Sequence, residues 1–322
     1  MPHILVAGKL HPSGVALLNS LPDVTFDYVE EVSEQSYAPL IGTADALVLR
    51  TQPLSAETVA KADRLKVVSR HGVGYDAVHL PSLNERGIAL TVVGDVNSVS
   101  VAEHAMMLIL AASKRVLRGD RSVRQPGEWG WRNKLEAEEI SGKNLLIIGY
   151  GRIGRHLARM ASGFGMEARA FDPFLQNQGW PEGPVSPVDA LLDGLSWADV
   201  VSVNVPKAEK PLISRAEFAV MRSGAILVNT ARGGIVEEAA LVDALRSGQV
   251  GAAGLDVFDE EPPAGDNPLS NLDQVILSPH IAGLTRECAE RMAVASVQNV
   301  VDFLSGTIDP ALVVNRKPGK AA

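Results

Sequence analysis

A glycine-rich turn stands at residues 149–154, Gly149-Tyr150-Gly151-Arg152-Ile153-Gly154, directly after the apolar run NLLII. In a G-x-G-x-x-G turn the first glycine permits a tight bend, the second lets the backbone approach a pyrophosphate, and the third lets the following helix pack on the strand. The N–H groups at the start of that helix favour a phosphate. The spacing alone is weak evidence, but its place between a strand and a helix predicts a dinucleotide-binding site.

Asp172 meets a second requirement of such a site. It ends the next apolar run, MEARAFD, 18 residues after Gly154, where a carboxylate can accept hydrogen bonds from the adenosine ribose. Pro173 and Phe174 follow it, so no Arg or Lys stands there to accept a 2′-phosphate. NAD is therefore favoured over NADP. A structural glycine turn followed by an ordinary strand-end Asp is the alternative interpretation.

Six short apolar runs from residue 144 onward predict one parallel sheet. They are NLLIIG, MEARAFD, DVVSVNVP, GAILVNTA, VGAAGLDVF and QVILSPH. Their near-continuous apolar character is typical of strands that are buried on both faces. Each run ends just before polar or glycine-rich residues, and in open α/β sheets the ligand crevice lies beyond those carboxyl ends.

The first part of the chain also alternates short apolar runs with helical stretches, but it lacks a phosphate-binding turn. Its apolar runs are HILVAG, ADALVLR, LKVVSR and IALTVV. A long helix is predicted over 98–118, opened by a capping box of Ser100 and Glu103, and the segment PGEWGWRNK after it is typical of a connector or contact surface. Two rhythms of this kind predict two α/β domains in a chain of 322 residues.

Charge and cysteine content limit the class of protein. The formal net charge of −8 would repel a polyanion, so nucleic acid is not an expected partner. The single cysteine, Cys288, forms no intramolecular disulfide and lacks the Cys or His neighbours of a zinc site. The N-terminal residues do not resemble a signal peptide, and the longest apolar run, 105–112, is too short to cross a bilayer. We expect a cytoplasmic protein with no metal and no membrane contact.

Three later segments place a functional group just beyond a predicted strand: NTARGGIVEE with Arg232, GLDVFDEEPP with Glu261, and LSPHIAGLT with His280. An Arg can bind a small carboxylate through two nitrogens, and a His can exchange a proton near neutral pH. A Glu beside that His would hold its tautomer. Singly, such a His is more often structural and Arg–Glu pairs are usually surface ion pairs. Their joint appearance at successive strand ends favours an active site.

These motifs resemble the D-isomer-specific 2-hydroxyacid dehydrogenases. The matching stretches are GVGYD, NSVSVAEH, GYGRIG, NTARGGIV, GLDVFDEEPP and SPHIAGLT, in the order of that family and close to its spacing. The resemblance implies an acid-base residue at His280, its partner at Glu261 and a substrate-binding residue at Arg232. Asp259 and Glu260 compete for the partner role, but the Glu of the family stands immediately before Pro, which selects Glu261.

The same resemblance implies further contacts. The backbone of Val73 and Gly74 would receive the substrate carboxylate, and Asp256 would meet the nicotinamide carboxamide, although a strand-end cap is its ordinary interpretation. Besides Gly149, Gly151 and Gly154, the expected cofactor contacts are Arg152, Ile153, Asp172, Val205, Thr230, Ala231, Asp256 and Gly283.

The resemblance also implies an architecture. A Rossmann-type NAD-binding domain over 98–284 is expected to be inserted into a smaller flavodoxin-like substrate-binding domain made of 1–97 and 285–322. The helix from Ser98 and the loop 129–131 are expected to form the contact of a homodimer.

Arg50 and Arg70 bear on the substrate, since each ends a predicted strand of the first domain. Two cations there indicate an anionic tail, as in members of the family that act on 3-phosphoglycerate, although either Arg could be a solvated strand end. Because we expect no effector-binding domain after Val314, hydroxypyruvate, glyoxylate and sulfonated analogues stay open. Formate is disfavoured, because formate dehydrogenases have Gln in place of Glu261. NAD-sensing binding proteins with this fold are the alternative from another class.

Overall fold

The computed structural model describes residues 1–315, which form two compact units. One unit comprises Met1–Asn97 together with residues 284–315, and the other is Ser98–Gly283. The division lies one residue before the boundary expected at 284. Residues 316–322, which belong to the expected segment 285–322, lie outside the described residues.

Both units alternate strands and helices. In chain order, strands β1 to β12 span His3–Ala7, Thr25–Val29, Ala46–Leu49, Val67–Arg70, Ala89–Thr91, Asn144–Ile148, Glu167–Phe171, Ser186–Pro187, Val200–Val203, Ala225–Asn229, Val250–Leu255 and Val275–Leu277. Helices α1 to α12 span Pro12–Asn19, Glu34–Tyr37, Ala56–Ala60, Leu80–Glu85, Ser98–Ser113, Val116–Arg124, Arg152–Gly163, Pro173–Gln178, Leu191–Trp197, Arg215–Val220, Glu238–Ser247 and Arg286–Ser305. Short 3₁₀ helices span Ala38–Thr43, Glu128–Lys134, Pro268–Asn271 and Pro310–Leu312.

The first unit contains a five-stranded parallel sheet in the order β2-β1-β3-β4-β5. This is the flavodoxin-like order, which confirms the expected class. Strand β2 is absent from the predicted strands, because it is an edge strand without a fully buried residue and its apolar signal is weak. Helix α12 packs on this sheet through Ala293, Val297 and Val300.

The second unit contains a seven-stranded parallel sheet in the order β12-β11-β10-β9-β6-β7-β8. Starting from β6, this is the Rossmann order with one strand added beyond β11, so the Rossmann expectation is also confirmed. Alternate residues of β10 enter separate cores, Leu227 on one face and Ile226 and Val228 on the other. The six predicted strands are all present, and the two-residue β8 is the exposed addition.

The single helix predicted over 98–118 is wrong. Helix α5 ends at Ser113, Arg115 adopts a left-handed φ of 52°, and α6 begins at Val116. The break brings the Arg115 guanidinium to the carbonyl oxygen of Gly251, at 2.9 Å. The predicted capping box is also wrong, because α5 already begins at Ser98 and Ser100 is buried inside the helix. Among the described helices, none combines the length and apolar character that a membrane span requires.

Candidate active site

The glycine turn has the geometry that a dinucleotide requires. Gly149 has a φ of 90°, and a β-carbon there would lie 2.6 Å from the carbonyl oxygen of Asn204. A β-carbon on Gly154 would lie 2.4 Å from the carbonyl oxygen of Gly149, so the start of α7 packs against the turn. Around Gly151, by contrast, no atom lies within 4 Å of an added β-carbon. The space needed by a pyrophosphate is therefore open at the second glycine.

Asp172 ends β7 and joins the turn to the next helix. One carboxylate oxygen accepts from the N–H groups of Phe174 and Leu175 at the start of α8, at 3.0 and 3.2 Å. The other accepts from the N–H of Tyr150 in the glycine turn, at 2.9 Å. The carboxylate is thus fixed beside the turn, and the oxygen that accepts only from Tyr150 has further acceptor capacity for a ribose hydroxyl.

Two buried polar atoms also fit a dinucleotide. The hydroxyl of Thr230, after β10, and the side-chain oxygen of Asn204, after β9, have no hydrogen-bond partner within residues 1–315. A buried polar atom without a partner is costly, so a ligand that supplies donors or acceptors there is favoured. Asn204 was not among the expected contacts. Its signal in the sequence is a polar residue directly before Val205, at the end of a buried strand.

The other expected cofactor contacts lie around the same strand ends. Arg152 and Ile153 open α7, and a methyl carbon of Val205 stands 2.8 Å from where a β-carbon on Gly149 would be. Ala231 follows Thr230 and is buried. Gly283 belongs to the turn that follows β12. The residues present therefore fit a dinucleotide along the carboxyl ends of β6, β7, β9 and β10.

His280 and Glu261 form a hydrogen-bonded pair beyond β11 and β12. His280 Nδ1 lies 2.7 Å from Glu261 Oε2, and because the carboxylate can only accept, Nδ1 carries the proton. Glu261 Oε1 accepts from the N–H of Phe258 at 3.1 Å, which orients the carboxylate. The side chain of His280 is 49% exposed, so its other ring nitrogen can meet a substrate.

Asp256 organises the turn that carries His280. Its carboxylate has no exposed surface and accepts from Ser278 Oγ at 2.5 Å and from the N–H groups of Ile281 and Ala282 at 2.9 and 2.8 Å. Its carbonyl oxygen accepts from the N–H of His280 at 2.9 Å. The role expected for Asp256, a contact to the nicotinamide carboxamide, stays a prediction. Its observed contacts are those of a residue that fixes the turn.

Arg232 lies on a turn after β10 that is held by Asn229. The side chain of Asn229 donates to the carbonyl oxygen of Arg232 and accepts from the N–H of Ala231, both at 3.0 Å. A β-carbon on Gly233 would lie 1.8 Å from the carbonyl oxygen of Phe258, so this turn packs tightly on the segment that leads to Glu261.

Asp259 joins the same two segments, because it accepts from the N–H of Gly234 at 2.7 Å. Of the three candidate carboxylates Asp259, Glu260 and Glu261, the structure pairs Glu261 with His280. Since β10, β11 and β12 are neighbours in the sheet, it brings Arg232, Glu261 and His280 to one edge.

The candidate residues of the first unit lie after β3 and β4. Leu49 and Arg70 are paired across these strands, so Arg50 and Arg70 lie at adjacent strand ends. The Arg70 guanidinium donates to the carbonyl oxygens of Leu49 and His71 at 3.2 and 3.3 Å. Burial, together with the positive charges of Arg50 and Arg70, lowers the pKa of His71 to about 4. The two guanidinium groups therefore concentrate positive charge around one buried imidazole.

The expected carboxylate-binding loop follows β4. Val73 packs partly against Val93, Cys288 and Met292, and Gly74 is the next residue of the loop. Within residues 1–315, no cluster of three or more His, Cys, Asp or Glu side chains is arranged to hold a metal ion.

Comparison with known proteins gives a consistent set of relatives. Residues 106–282 match the family described as D-isomer specific 2-hydroxyacid dehydrogenase, NAD binding domain. The chain is 39% identical over 265 residues to a D-3-phosphoglycerate dehydrogenase of Archaeoglobus fulgidus. The alignment covers 81% of this chain and 50% of that protein. It is 38% identical over 277 residues to a glyoxylate reductase of Korarchaeum cryptofilum. This alignment covers 84% of this chain and 82% of that protein.

A solved structure is similar over nearly the whole length. The crystal structure of a protein from Thermus thermophilus matches with a TM-score of 0.87 at 32% identity, covering 97% of this chain and 99% of that one. However, the chain spans only 50% to 59% of the length of three D-3-phosphoglycerate dehydrogenases that it matches, including the one of Archaeoglobus fulgidus.

Proposed function

Because the chain belongs to the D-isomer-specific 2-hydroxyacid dehydrogenase family and carries its NAD-binding domain, we propose that it is an NAD-dependent oxidoreductase. It transfers hydride between nicotinamide and C2 of a small D-2-hydroxy acid or the corresponding 2-keto acid. The observation that carries this proposal is the pairing of His280 Nδ1 with Glu261 Oε2 at 2.7 Å, on the sheet edge that also presents Arg232.

Proton transfer is assigned to His280. When bound, NADH supplies the hydride for the keto carbon, and negative charge then develops on the keto oxygen. Because Glu261 holds the proton on Nδ1, the Nε2 atom of the doubly protonated ring is the one that gives a proton to that oxygen. In the oxidative direction the neutral ring takes the proton of the substrate hydroxyl through the same atom. Glu261 keeps the ring in the required orientation throughout.

Arg232 is assigned to the substrate carboxylate and the keto oxygen. Its planar fork of N–H groups suits a carboxylate, and its charge favours the oxygen on which negative charge develops. The Asn229 hydrogen bonds to the Arg232 turn support this assignment, because they fix the backbone from which the guanidinium extends.

We assign the substrate to the class with an anionic tail, similar to 3-phosphoglycerate. The concentration of positive charge from Arg50 and Arg70 around His71 supports this choice. The relatives named D-3-phosphoglycerate dehydrogenase are in agreement with it, whereas the relative named glyoxylate reductase favours the second candidate, a hydroxypyruvate or glyoxylate reductase without tail recognition.

A panel of keto acids with NADH distinguishes these candidates. We expect kcat/KM to be higher for 3-phosphohydroxypyruvate or sulfopyruvate than for hydroxypyruvate and glyoxylate. Arg50→Gln and Arg70→Gln should lower kcat/KM for the tailed acids and leave glyoxylate nearly unchanged, because only the tail loses a cation. Lys9→Gln, at an exposed cation of the same unit, is the matched control. Highest kcat/KM with glyoxylate, unaffected by both Arg variants, would select the reductase.

The same assay separates an enzyme from an NAD-sensing binding protein. His280→Ala should lower kcat by roughly 10² to 10⁴ while NADH still binds, since the glycine turn is untouched. Tight NADH binding without turnover of any keto acid would instead identify a binding protein.

A homodimer and a cytoplasmic location complete the proposal. Apolar side chains that are half or more exposed lie between residues 116 and 135 of the second unit, among them Leu117 at 50% and Trp129 at 61%. An apolar surface of this kind is typical of a contact between identical subunits. The location rests on the single cysteine, Cys288, which is buried as a free thiol.

A further inference from the structure

We propose that His104 is a positioning residue of the active site, which acts through Ser278 and Asp256 to hold the turn that carries His280. The inference rests on the proposed function, since it concerns the reaction assigned to His280. His104 lies on α5, within the motif NSVSVAEH, and no role for it follows from the cofactor or substrate contacts described above.

A chain of hydrogen bonds connects His104 to Asp256. His104 Nε2 lies 2.8 Å from Ser278 Oγ, and Ser278 Oγ lies 2.5 Å from Asp256 Oδ1. A hydroxyl has one proton, and the carboxylate can only accept, so Ser278 donates to Asp256 and must accept from His104. Nε2 of His104 therefore carries a proton and fixes the direction of the Ser278 hydroxyl.

Asp256 connects the oriented Ser278 hydroxyl to the turn that carries His280. Its buried carboxylate needs donors, and it takes them from Ser278 and from the N–H groups of Ile281 and Ala282. These two residues follow His280, whose φ of 53° lies in the left-handed region that residues with a β-carbon rarely adopt. A conformation of this kind persists only where its surroundings determine it. The hydrogen bonds of the Asp256 carboxylate hold the turn in this conformation, and His104 limits how the carboxylate can move.

The position of His104 on its helix is consistent with this role. Its neighbours Ala105, Leu108 and Ile109 enter the apolar core that α5 shares with the sheet. The side chain of His104 is only 14% exposed and is directed to the end of β12. A polar side chain at the edge of an apolar helix face is costly unless it is hydrogen-bonded. Here its bond goes to the residue two positions before His280.

Paired substitutions test the proposal. His104→Phe keeps a ring but removes the donor, whereas His104→Gln keeps an N–H at a similar distance from Ser278. We expect His104→Phe to lower kcat roughly 10- to 100-fold with little change in KM or NADH affinity, because the acid is misplaced while the binding groups remain. His104→Gln should retain most of kcat. Equal losses in both variants, or a loss in neither, would overturn the proposal.

Ser278→Ala and Ser278→Thr provide a second pair, since only threonine keeps the hydroxyl. If the groups act as one chain, the double variant His104→Phe/Ser278→Ala should lose no more kcat than the more damaging single variant. Additive losses would contradict the chain. His156→Phe, on α7 of the same unit, is the control for loss of a partly exposed His.

Hydrogen–deuterium exchange gives a readout that does not depend on turnover. The peptide containing the amides of Ile281 and Ala282 should exchange faster in His104→Phe than in the wild type, and near the wild-type rate in His104→Gln. If the wild type reduces no keto acid, the proposed function fails, and the exchange rates still decide whether His104 holds the turn. Unchanged exchange in His104→Phe would show that it does not.

Discussion

At the scale of single residues, the turns that carry Arg232 and His280 are fixed by side chains whose importance is hard to infer from sequence. The positions of Arg232, Glu261 and His280 just beyond strands were predictable, because each follows a buried strand within a distinctive motif. Asn229 and Asp259 were not, since their hydrogen bonds go to backbone N–H and carbonyl groups whose direction depends on the folded turn. A side chain that binds backbone groups has no residue-type partner at a fixed spacing, so the sequence shows no motif for it. Support of this kind becomes visible only in the structure.

His71 gives the first unit a stability that depends on pH. Burial, with the charges of Arg50 and Arg70 added, lowers its pKa from the usual 6.5 to about 4. Between these values the unfolded chain binds a proton that the folded chain does not, so the free energy of unfolding falls as pH falls through this window. From pH 7 to pH 5 we expect His71 to account for a loss of about 2 kcal/mol.

Urea unfolding of the wild type and His71→Gln at pH 7, 6 and 5 measures this contribution. All four tryptophans lie between residues 129 and 197, in the second unit, so tryptophan fluorescence follows that unit and far-ultraviolet circular dichroism follows both. In the variant, the dichroism transition of the first unit should lose most of its pH dependence. The fluorescence transition should be the same in the variant and the wild type at each pH. The same pH dependence in both proteins would rule out His71 as its source.

At the scale of elements, burial separates what the sequence predicts well from what it does not. The strands β3, β9 and β10 are buried along their length and mostly apolar, and they are evident in the sequence. Strands β2 and β8 lie at sheet edges with little buried surface, so no apolar run marks them. The division between α5 and α6 was missed because residues on both sides of Arg115 are acceptable in a helix, and only the tertiary bond to Gly251 reveals the break.

Arg115 provides a test of this break. Arg115→Ala and Arg115→Gly both lose the bond to Gly251, but only glycine relieves the left-handed backbone at φ 52°. We therefore expect Arg115→Gly to be the more stable of the two by about 1 kcal/mol in urea unfolding followed by tryptophan fluorescence.

Arg121, an exposed position inside α6, gives the matched comparison. There alanine should be more stable than glycine by about 1 kcal/mol, the opposite order, because the backbone is an ordinary helix. The same order at both positions would contradict the left-handed conformation at Arg115.

At the scale of the whole molecule, the two parallel sheets followed from the strand rhythm, whereas the return of the last helix to the first sheet followed only from family resemblance. A helix that packs on strands more than 200 residues earlier in the chain, as α12 does on β3 and β4, leaves no local sign of its partner. The substrate is similarly hard to infer, since relatives with different substrate names are about equally identical to this chain.

The proposed homodimer is testable at this scale. Leu117→Glu places a charge on a half-exposed leucine of α6, and it should shift the protein from dimer to monomer in sedimentation at micromolar concentration, because a buried unpaired charge is costly. Val32→Glu, at a valine of the first unit that is 65% exposed, should leave the mass unchanged. A wild type that sediments as a monomer would refute the dimer directly.

The packing of α12 on the first sheet has a consequence for synthesis on the ribosome. Strands β1 to β5 emerge first, but the surface that Ala293, Val297 and Val300 cover stays bare until the last helix has been made. Residues 98–283 are translated in the interval, which takes on the order of 10 to 40 s at roughly 5–20 residues per second. The nucleotide-binding unit, which is one continuous segment, can complete its core in that time. The unit translated first is therefore the last to be finished, and its apolar face is open to aggregation or to chaperone binding until α12 covers it.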